Sequence, residues 1–266
     1  MKAMILAAGY GMRLRPLTET IPKPLLPVGG YPLVVWNLLL LKKHGITDAL
    51  INLHYRGDQI VDALGDGSRY GMRLAYSHEP IILGTGGGIR QAQPYFEKSR
   101  CLVLNGDTLS DCDLTMLLNA HIASRAFATL ALRTDPLASQ WGAVTLSADS
   151  RIRQIKGEPP MAVQPSKAGP QPATSAGNLA DYMFSGAHIL EPAVVDVIPQ
   201  GPGSIIDVYI ELLRKGQPLA GYRMSGYWSD IGTPERYAAA EMDVSRGLLS
   251  PPQAAPAGGV ALKPSL

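Results

Sequence analysis

Cysteine is nearly absent: 266 residues contain two, Cys101 and Cys112. Two thiols cannot build a disulfide framework, and neither has a CxxC partner or a metal-ligand cluster beside it. Both read as reduced thiols of a cytoplasmic protein. Long apolar runs are also missing. The longest, 33–41, is interrupted by Asn37, and a membrane span needs roughly 18 residues or more. The N-terminal apolar run stops at Gly9, too short for a secretory signal. Charge of one sign is scarce: 24 Lys+Arg against 22 Asp+Glu leave a net +2, which argues against an obligate nucleic-acid or membrane-surface partner. No Gly-Lys-Ser/Thr tripeptide occurs, and Leu14 stands where a dinucleotide fingerprint needs its third glycine, so two common nucleotide loops are excluded. The five histidines have no mutual spacing suited to zinc and read as structural.

What is present is a globular composition, with 46% hydrophobic and 17% charged residues. The length fits one large domain or two small ones. Short apolar runs at 3–8, 49–53, 74–76 and 101–104 read as buried strands, and 32–43, 58–64 (capped by Asp58) and 114–124 as helices. This alternation predicts an α/β layered sheet with mostly parallel strands, whose ligand site lies beyond the C-terminal strand ends. Further strands are expected at 128–133, 142–146, 152–156 and 182–189, and helices at 205–215 and 234–246. The Pro-rich stretch 157–180 reads as a long mobile loop, and 247–266 as a disordered Pro/Ala/Gly-rich tail.

Four segments carry chemistry. The first strand empties into Gly9-Tyr10-Gly11, followed by Arg13, Arg15 and Lys23. Glycines let a backbone approach phosphates, and the basic side chains offer a planar fork and a point charge. Pro16, Pro22, Pro24 and Pro27 stiffen the loop so that Arg13 and Lys23 are held. Residues 1–30 sum to +3 and the rest of the chain to −1, so the charge concentrates where a compact polyanion would bind. The second segment is Asn105-Gly106-Asp107 at a strand end. The third is Trp228-Ser229-Asp230-Ile231-Gly232-Thr233-Pro234 before the last helix. Two carboxylates beside a phosphate loop suit magnesium, which takes one or two carboxylates and completes its shell from phosphates and water. The fourth is Leu83-Gly84-Thr85-Gly86-Gly87-Gly88-Ile89, a flat backbone surface for a nucleobase. Each has a plain alternative: a glycine turn with solvated basic residues, an ordinary NGD turn, a turn aspartate with Thr233 as a simple helix cap, and a flexible loop.

Together these motifs resemble those of the sugar-1-phosphate nucleotidylyltransferases, most of all the branch containing mannose-1-phosphate guanylyltransferases and N-acetylmuramate-1-phosphate uridylyltransferases. The match rests on GYGMRLRPLT at 9–18, PKP at 22–24, LGTGGGI at 83–89, NGD at 105–107 and WSDIGTPERY at 228–237, and covers roughly 1–246. The resemblance implies a three-layer Rossmann-like nucleotidyltransferase fold with a mixed, mostly parallel central sheet, a catalytic domain at 1–246 and a tail at 247–266. It implies a nucleoside triphosphate and a sugar 1-phosphate as substrates, Mg²⁺ as cofactor, neither nucleic acid nor membrane as partner, and a monomer or homo-oligomer. By position, Arg13, Lys23 and Asp107 would be catalytic, and Asp107 and Asp230 would hold the metal. Ala7, Ala8, Gly9, Gly11, Thr85, Gly86 and Gly87 would receive the nucleotide, and Asn105, Gly142, Ser185 and Gly186 the sugar.

Two departures stand out. Met12 replaces a hydroxyl residue of the phosphate loop. Where many relatives carry Glu-Lys-Pro, this chain reads Lys156-Gly157-Glu158-Pro159, so the lysine expected on the sugar phosphate is displaced, and Lys156 would substitute only if the loop shifts. The chain also lacks the C-terminal left-handed β-helix of longer relatives, so regulation through such a domain is not expected. The leading expectation is a guanylyltransferase acting on mannose 1-phosphate. Uridylyl transfer to N-acetylmuramate 1-phosphate and guanylyl transfer to a heptose 1-phosphate are the alternatives. In a different class stands a catalytically silent nucleotide-sugar-binding regulator, which should have lost a metal aspartate or the loop lysine, whereas Asp107, Asp230 and Lys23 are all present.

Overall fold

The computed structural model describes residues 1–156, 158 and 179–251. The N-terminal half alternates strand and helix as expected. Strand β1 (Lys2–Leu6) is followed by three single-turn 3-10 segments and the short β2 (Pro27–Val28) and β3 (Tyr31–Pro32). Then come α1 (Leu33–Lys43), β4 (Asp48–Leu53), α2 (Gly57–Leu64), β5 (Arg73–His78), α3 (Gly84–Gln91), α4 (Gln93–Phe96), β6 (Cys101–Asn105), β7 (Thr108–Ser110) and α5 (Leu114–Ser124). The second half holds β8 (Ala128–Arg133), α6 (Ala138–Trp141), β9 (Val144–Leu146), β10 (Ile152–Ile155), β11 (Ala180–Leu190), α7 (Pro192–Val197), α8 (Ile205–Arg214), β12 (Leu219–Arg223), β13 (Trp228–Asp230) and α9 (Pro234–Ser245).

The main sheet runs β10-β9-β11-β6-β1-β4-β5, with β8 paired to β11 and β12 to β8. It is mixed. Strands β6, β1, β4 and β5 are mutually parallel. The long β11 is antiparallel to β6, β8 and β9. Strand alternation sorts side chains between two faces. Ala3 and Ile5 of β1 pack with Val34 and Leu38 of α1, Ile60 of α2 and Leu117 of α5. Met4 packs on the other face with Ile89 of α3, Val194 of α7 and Tyr209 of α8. The result is helix, sheet, helix, the expected three layers. A third, smaller cluster joins Leu33 and Trp36 of α1 to Leu14, Val28, Leu109, Ile231 and Ala240. It explains why the 33–41 run is buried on every side: α1 is wedged between the sheet and this third cluster, and all nine residues, Asn37 included, are buried.

Two local expectations change. Asp58 does not cap α2. Arg56 stands at the cap in a left-handed conformation (φ 50°), and Asp58 falls in the first turn. The 142–146 strand begins only at Val144, because Gly142 turns the chain at φ +88°. The 157–180 loop expectation lies outside the described residues except for Glu158, Leu179 and Ala180. Of 247–266, residues 252–266 lie outside them, and Leu249 is buried in the third cluster. No helix among the described residues is long and apolar enough to cross a membrane.

Candidate active site

The parallel strands end on one rim, and the loops that leave it carry the basic and acidic residues singled out above. The loop after β1 is built of 3-10 turns at Met12–Leu14, Leu17–Glu19 and Lys23–Leu25. Thr18 Oγ1 donates to the Gly11 carbonyl at 2.9 Å, which closes the loop on itself. Pro22 precedes the Lys23 turn and Pro24 lies within it, so the lysine is fixed: it is 8% exposed, and its Nζ donates to Asp107 Oδ2 at 2.7 Å. Arg13 borders the same space, its guanidinium beside Gly232. A Cβ placed on Gly9 would meet nothing within 4 Å, so the backbone there faces open room. Met12, the departure in this loop, is 61% exposed.

Asp107 and Asp230 are brought together by a two-stranded ribbon. β13 runs antiparallel to β7, with Asp230 opposite Thr108, and Ile231 N–H donates to the Asp107 carbonyl at 3.0 Å. Burial, and next the charge of Asp107, hold the Asp230 carboxyl above the usual carboxylate range, while Lys23 and Arg236 pull the other way. Arg236 Nη1 donates to Asp230 Oδ2 at 2.6 Å. Each carboxylate therefore has a cation against it. Two close, partly desolvated carboxylates are a donor set that a divalent cation fits. Among the described residues no group of three or more His, Cys, Asp and Glu surrounds one point, so such a cation would complete its shell from substrate phosphates and water.

Beside the ribbon is a cavity of about 220 Å³ lined by Arg13, Asn105, Gly142, Ser185, Trp228, Asp230 and Lys156 among others. Gly186 (φ +87°) lies against Asn105, whose Nδ2 is 2.6 Å from where a Cβ would be, so β11 can cross there only on glycine. Ser185 turns its hydroxyl into the sheet, donating to the Ala131 carbonyl, and its own carbonyl accepts from Trp228 Nε1 at 2.8 Å. Trp228 thus lines the cavity, while Tyr227 packs on the third cluster with its hydroxyl on Asp243.

The departure at 156–159 admits Lys156 to the sugar phosphate only with a shift of the loop. Lys156 lines this cavity. Its backbone N–H donates to the Ala143 carbonyl at 2.8 Å, so the β9–β10 hairpin delivers it. The glycine-rich stretch is also more ordered than its composition suggests. Thr85, Gly86 and Gly87 form the first turn of α3. Thr85 Oγ1 accepts from Ile205 N–H at 2.9 Å, and Gly86 N–H donates to the Gly203 carbonyl. None of the three lines the cavity. Ala7 and Ala8 are buried, and Ala7 N–H donates to Asn52 Oδ1 at 2.8 Å. Asn52 and Glu79 lie at this rim outside the motifs, and Arg236, inside the last motif, takes Asp230 as its partner. For Asn52 the signal in the sequence is an asparagine inside the apolar run 49–53.

Residues 2–247 match the nucleotidyl transferase family. The chain is 39% identical over 244 residues to the N-acetylmuramate alpha-1-phosphate uridylyltransferase of Neisseria meningitidis serogroup B, covering 91% of this chain and 97% of that one. It is 34% identical to a mannose-1-phosphate guanylyltransferase of Mycobacterium tuberculosis, covering 94% of this chain but 66% of the longer relative. Among solved structures, one from Bacillus anthracis described as a glucose-1-phosphate thymidylyltransferase, in complex with a sucrose, superposes with a TM-score of 0.75 at 25% identity over 91% of this chain and 94% of that one.

Proposed function

The chain belongs to the nucleotidyl transferase family, and from that premise we propose that it couples a nucleoside triphosphate to a sugar 1-phosphate, releasing pyrophosphate and forming a nucleoside-diphosphate sugar. The observation that carries the reading is the β7–β13 ribbon, which sets Asp230 beside Asp107, Lys23 and Arg13 at the rim where the glycine loop opens. In the reaction an oxygen of the sugar phosphate attacks the α-phosphorus in line, the bond to the bridging α–β oxygen breaks, and pyrophosphate leaves. No covalent enzyme intermediate is needed. Arg13 and Lys23 hold the triphosphate and then the leaving pyrophosphate, so the catalytic contribution is positioning and charge stabilisation. Gly9 gives the triphosphate a close backbone approach, Gly11 at φ +66° lets the loop close on Thr18 and Lys23, and the Thr85–Gly87 turn backs the base side of the rim. Asp107 and Asp230 would hold Mg²⁺, which neutralises charge on the phosphoryl oxygens when bound. Asn105, Gly142, Ser185 and Gly186 shape the acceptor cavity.

For substrates, UTP and N-acetylmuramate 1-phosphate now rank ahead of GTP and mannose 1-phosphate. The support is similarity: the chain is 39% identical to the uridylyltransferase relative and 34% identical to the guanylyltransferase. Buried free thiols at Cys101 and Cys112, both with pKa pushed up to about 12 by burial, fit a reducing cytoplasm. The test is pyrophosphate release from UTP, GTP, CTP, ATP and dTTP, each offered with N-acetylmuramate, N-acetylglucosamine, mannose and glucose 1-phosphates. Asp107→Asn and Asp230→Asn should each cost at least about a hundredfold in kcat with the fold intact. Near wild-type turnover in either variant would remove that residue from the metal site. Nucleotide sugar bound without turnover in any pairing would favour the silent regulator.

A further inference from the structure

We propose that Lys156 is the acceptor-binding residue of this protein: its ammonium holds an anionic group of the sugar 1-phosphate, from a backbone position two residues ahead of where the family's Glu-Lys-Pro lysine would be sought. The inference rests on the reading above that the cavity takes a sugar 1-phosphate.

Four observations carry it. Lys156 closes β10 in a left-handed conformation, φ +57°. Such a backbone is uncommon for a residue with a Cβ and marks a position held by its surroundings. Here the holder is the pairing of Ile155 with Val144 and the Lys156 N–H bond to Ala143. Next, the lysine's aliphatic stem passes over Gly142. A Cβ on Gly142 would stand 2.9 Å from Lys156 Cγ and 3.5 Å from Cε. Gly142, itself at φ +88°, thus leaves the space through which the lysine runs, so its part in the cavity is to admit Lys156.

Third, Lys156 shares the cavity with Arg13 and Asp230, at the place where acceptor and triphosphate must meet. Fourth, its ammonium makes no ion pair among the described residues. Asp230 is engaged by Arg236, and Glu158, two residues on, is engaged by Arg214. A lysine carries three donors and no acceptor. A lysine that lines a ligand cavity with its nearby carboxylates already taken is complementary to an incoming oxyanion. The acceptor offers that chemistry from two sources: the 1-phosphate common to every sugar phosphate, and the lactyl carboxylate present in N-acetylmuramate and absent from N-acetylglucosamine.

The experiment uses the full chain with Lys156→Met, which keeps the stem and removes the charge, together with Lys156→Arg and Gly142→Ala. Steady-state kinetics with N-acetylmuramate 1-phosphate and N-acetylglucosamine 1-phosphate are combined with calorimetric binding of each sugar phosphate. Lys156→Met should raise the acceptor KM at least about tenfold and leave the nucleotide KM unchanged. Lys156→Arg should recover part of the loss, and Gly142→Ala should reproduce the Met variant by deflecting the stem. A loss with both acceptors assigns Lys156 to the phosphate, and a loss confined to the muramate assigns it to the carboxylate. An unchanged acceptor KM with both overturns the proposal. Should the wild type release no pyrophosphate with any pairing, the activity reading fails, and binding still decides: a sugar phosphate bound by the wild type and lost in Lys156→Met upholds the role, while equal binding or none overturns it.

Discussion

Asn52 and Glu79 hold three loops of the rim in register. Asn52 Oδ1 accepts from Ala7 N–H at 2.8 Å, its Nδ2 donates to Glu79 Oε1 at 2.8 Å, and Glu79 Oε2 accepts from Leu83 N–H at 2.9 Å. Both residues are under 5% exposed. The relay ties the ends of β1, β4 and β5 to the start of α3. Removing its middle orphans a buried N–H and one carboxylate oxygen. Asn52→Ala should therefore cost about 3 kcal/mol in urea unfolding and raise the nucleotide KM. A stability within error of wild type would show that water replaces the amide. A polar residue in a buried strand was visible in the sequence. Its two partners were not, because both lie on other strands and loops.

At the scale of elements, α3 shows how tertiary packing overrides propensity. Its segment holds four glycines, and each costs up to about 1 kcal/mol in a helix relative to alanine. Propensity alone would reward Gly87→Ala. The packing reverses the sign: a Cβ on Gly87 would stand 2.3 Å from the Gly201 carbonyl oxygen and 2.9 Å from Leu83 Cβ. A backbone carbonyl cannot rotate aside as a side chain does. Gly87→Ala should destabilise by about 1–3 kcal/mol, lowering Tm by roughly 2–4 °C per kcal/mol for a domain near this size. A rise in Tm would mean that α3 slides without penalty. Helices α2 and α8 were legible because their apolar faces repeat at a local period, and α1 because Pro32, Lys42, Lys43 and Gly45 mark its ends. The three-residue strands β7 and β13 were not, since so short a segment has no period to read. Their pairing nevertheless builds the acidic site.

Over the whole molecule, burial sets the acid response. His188 is fully buried against Tyr209, its Nδ1 2.5 Å from the phenol oxygen, and burial pushes its pKa down to about 3. His121 and His44 are lowered too, with burial the main cause. In each case the folded pKa lies below the unfolded value of 6.5, so the unfolded chain binds more protons as pH falls. The stabilisation is full above 6.5 and is lost as pH drops, for His188 across the window from about 6.5 to about 3. Each such histidine should raise the unfolding constant by up to roughly tenfold per pH unit within its window. Urea midpoints from pH 7.5 to pH 5 should fall accordingly, and His188→Gln should flatten the slope by one proton. An unchanged slope would rule out His188 as a source. By itself the sequence determined the parallel strand ends, the stiff basic loop with its local excess of charge, and both carboxylates, because strand period, proline and charge are properties of neighbours along the chain. Only the tertiary structure decided that Asp230 meets Asp107, that the Lys156 stem passes over Gly142 beside the cavity, and that the glycines of α3 are packing surfaces. Those outcomes depend on strand register and close approach between segments far apart in sequence, which side-chain packing across the layers sets and local pattern does not encode.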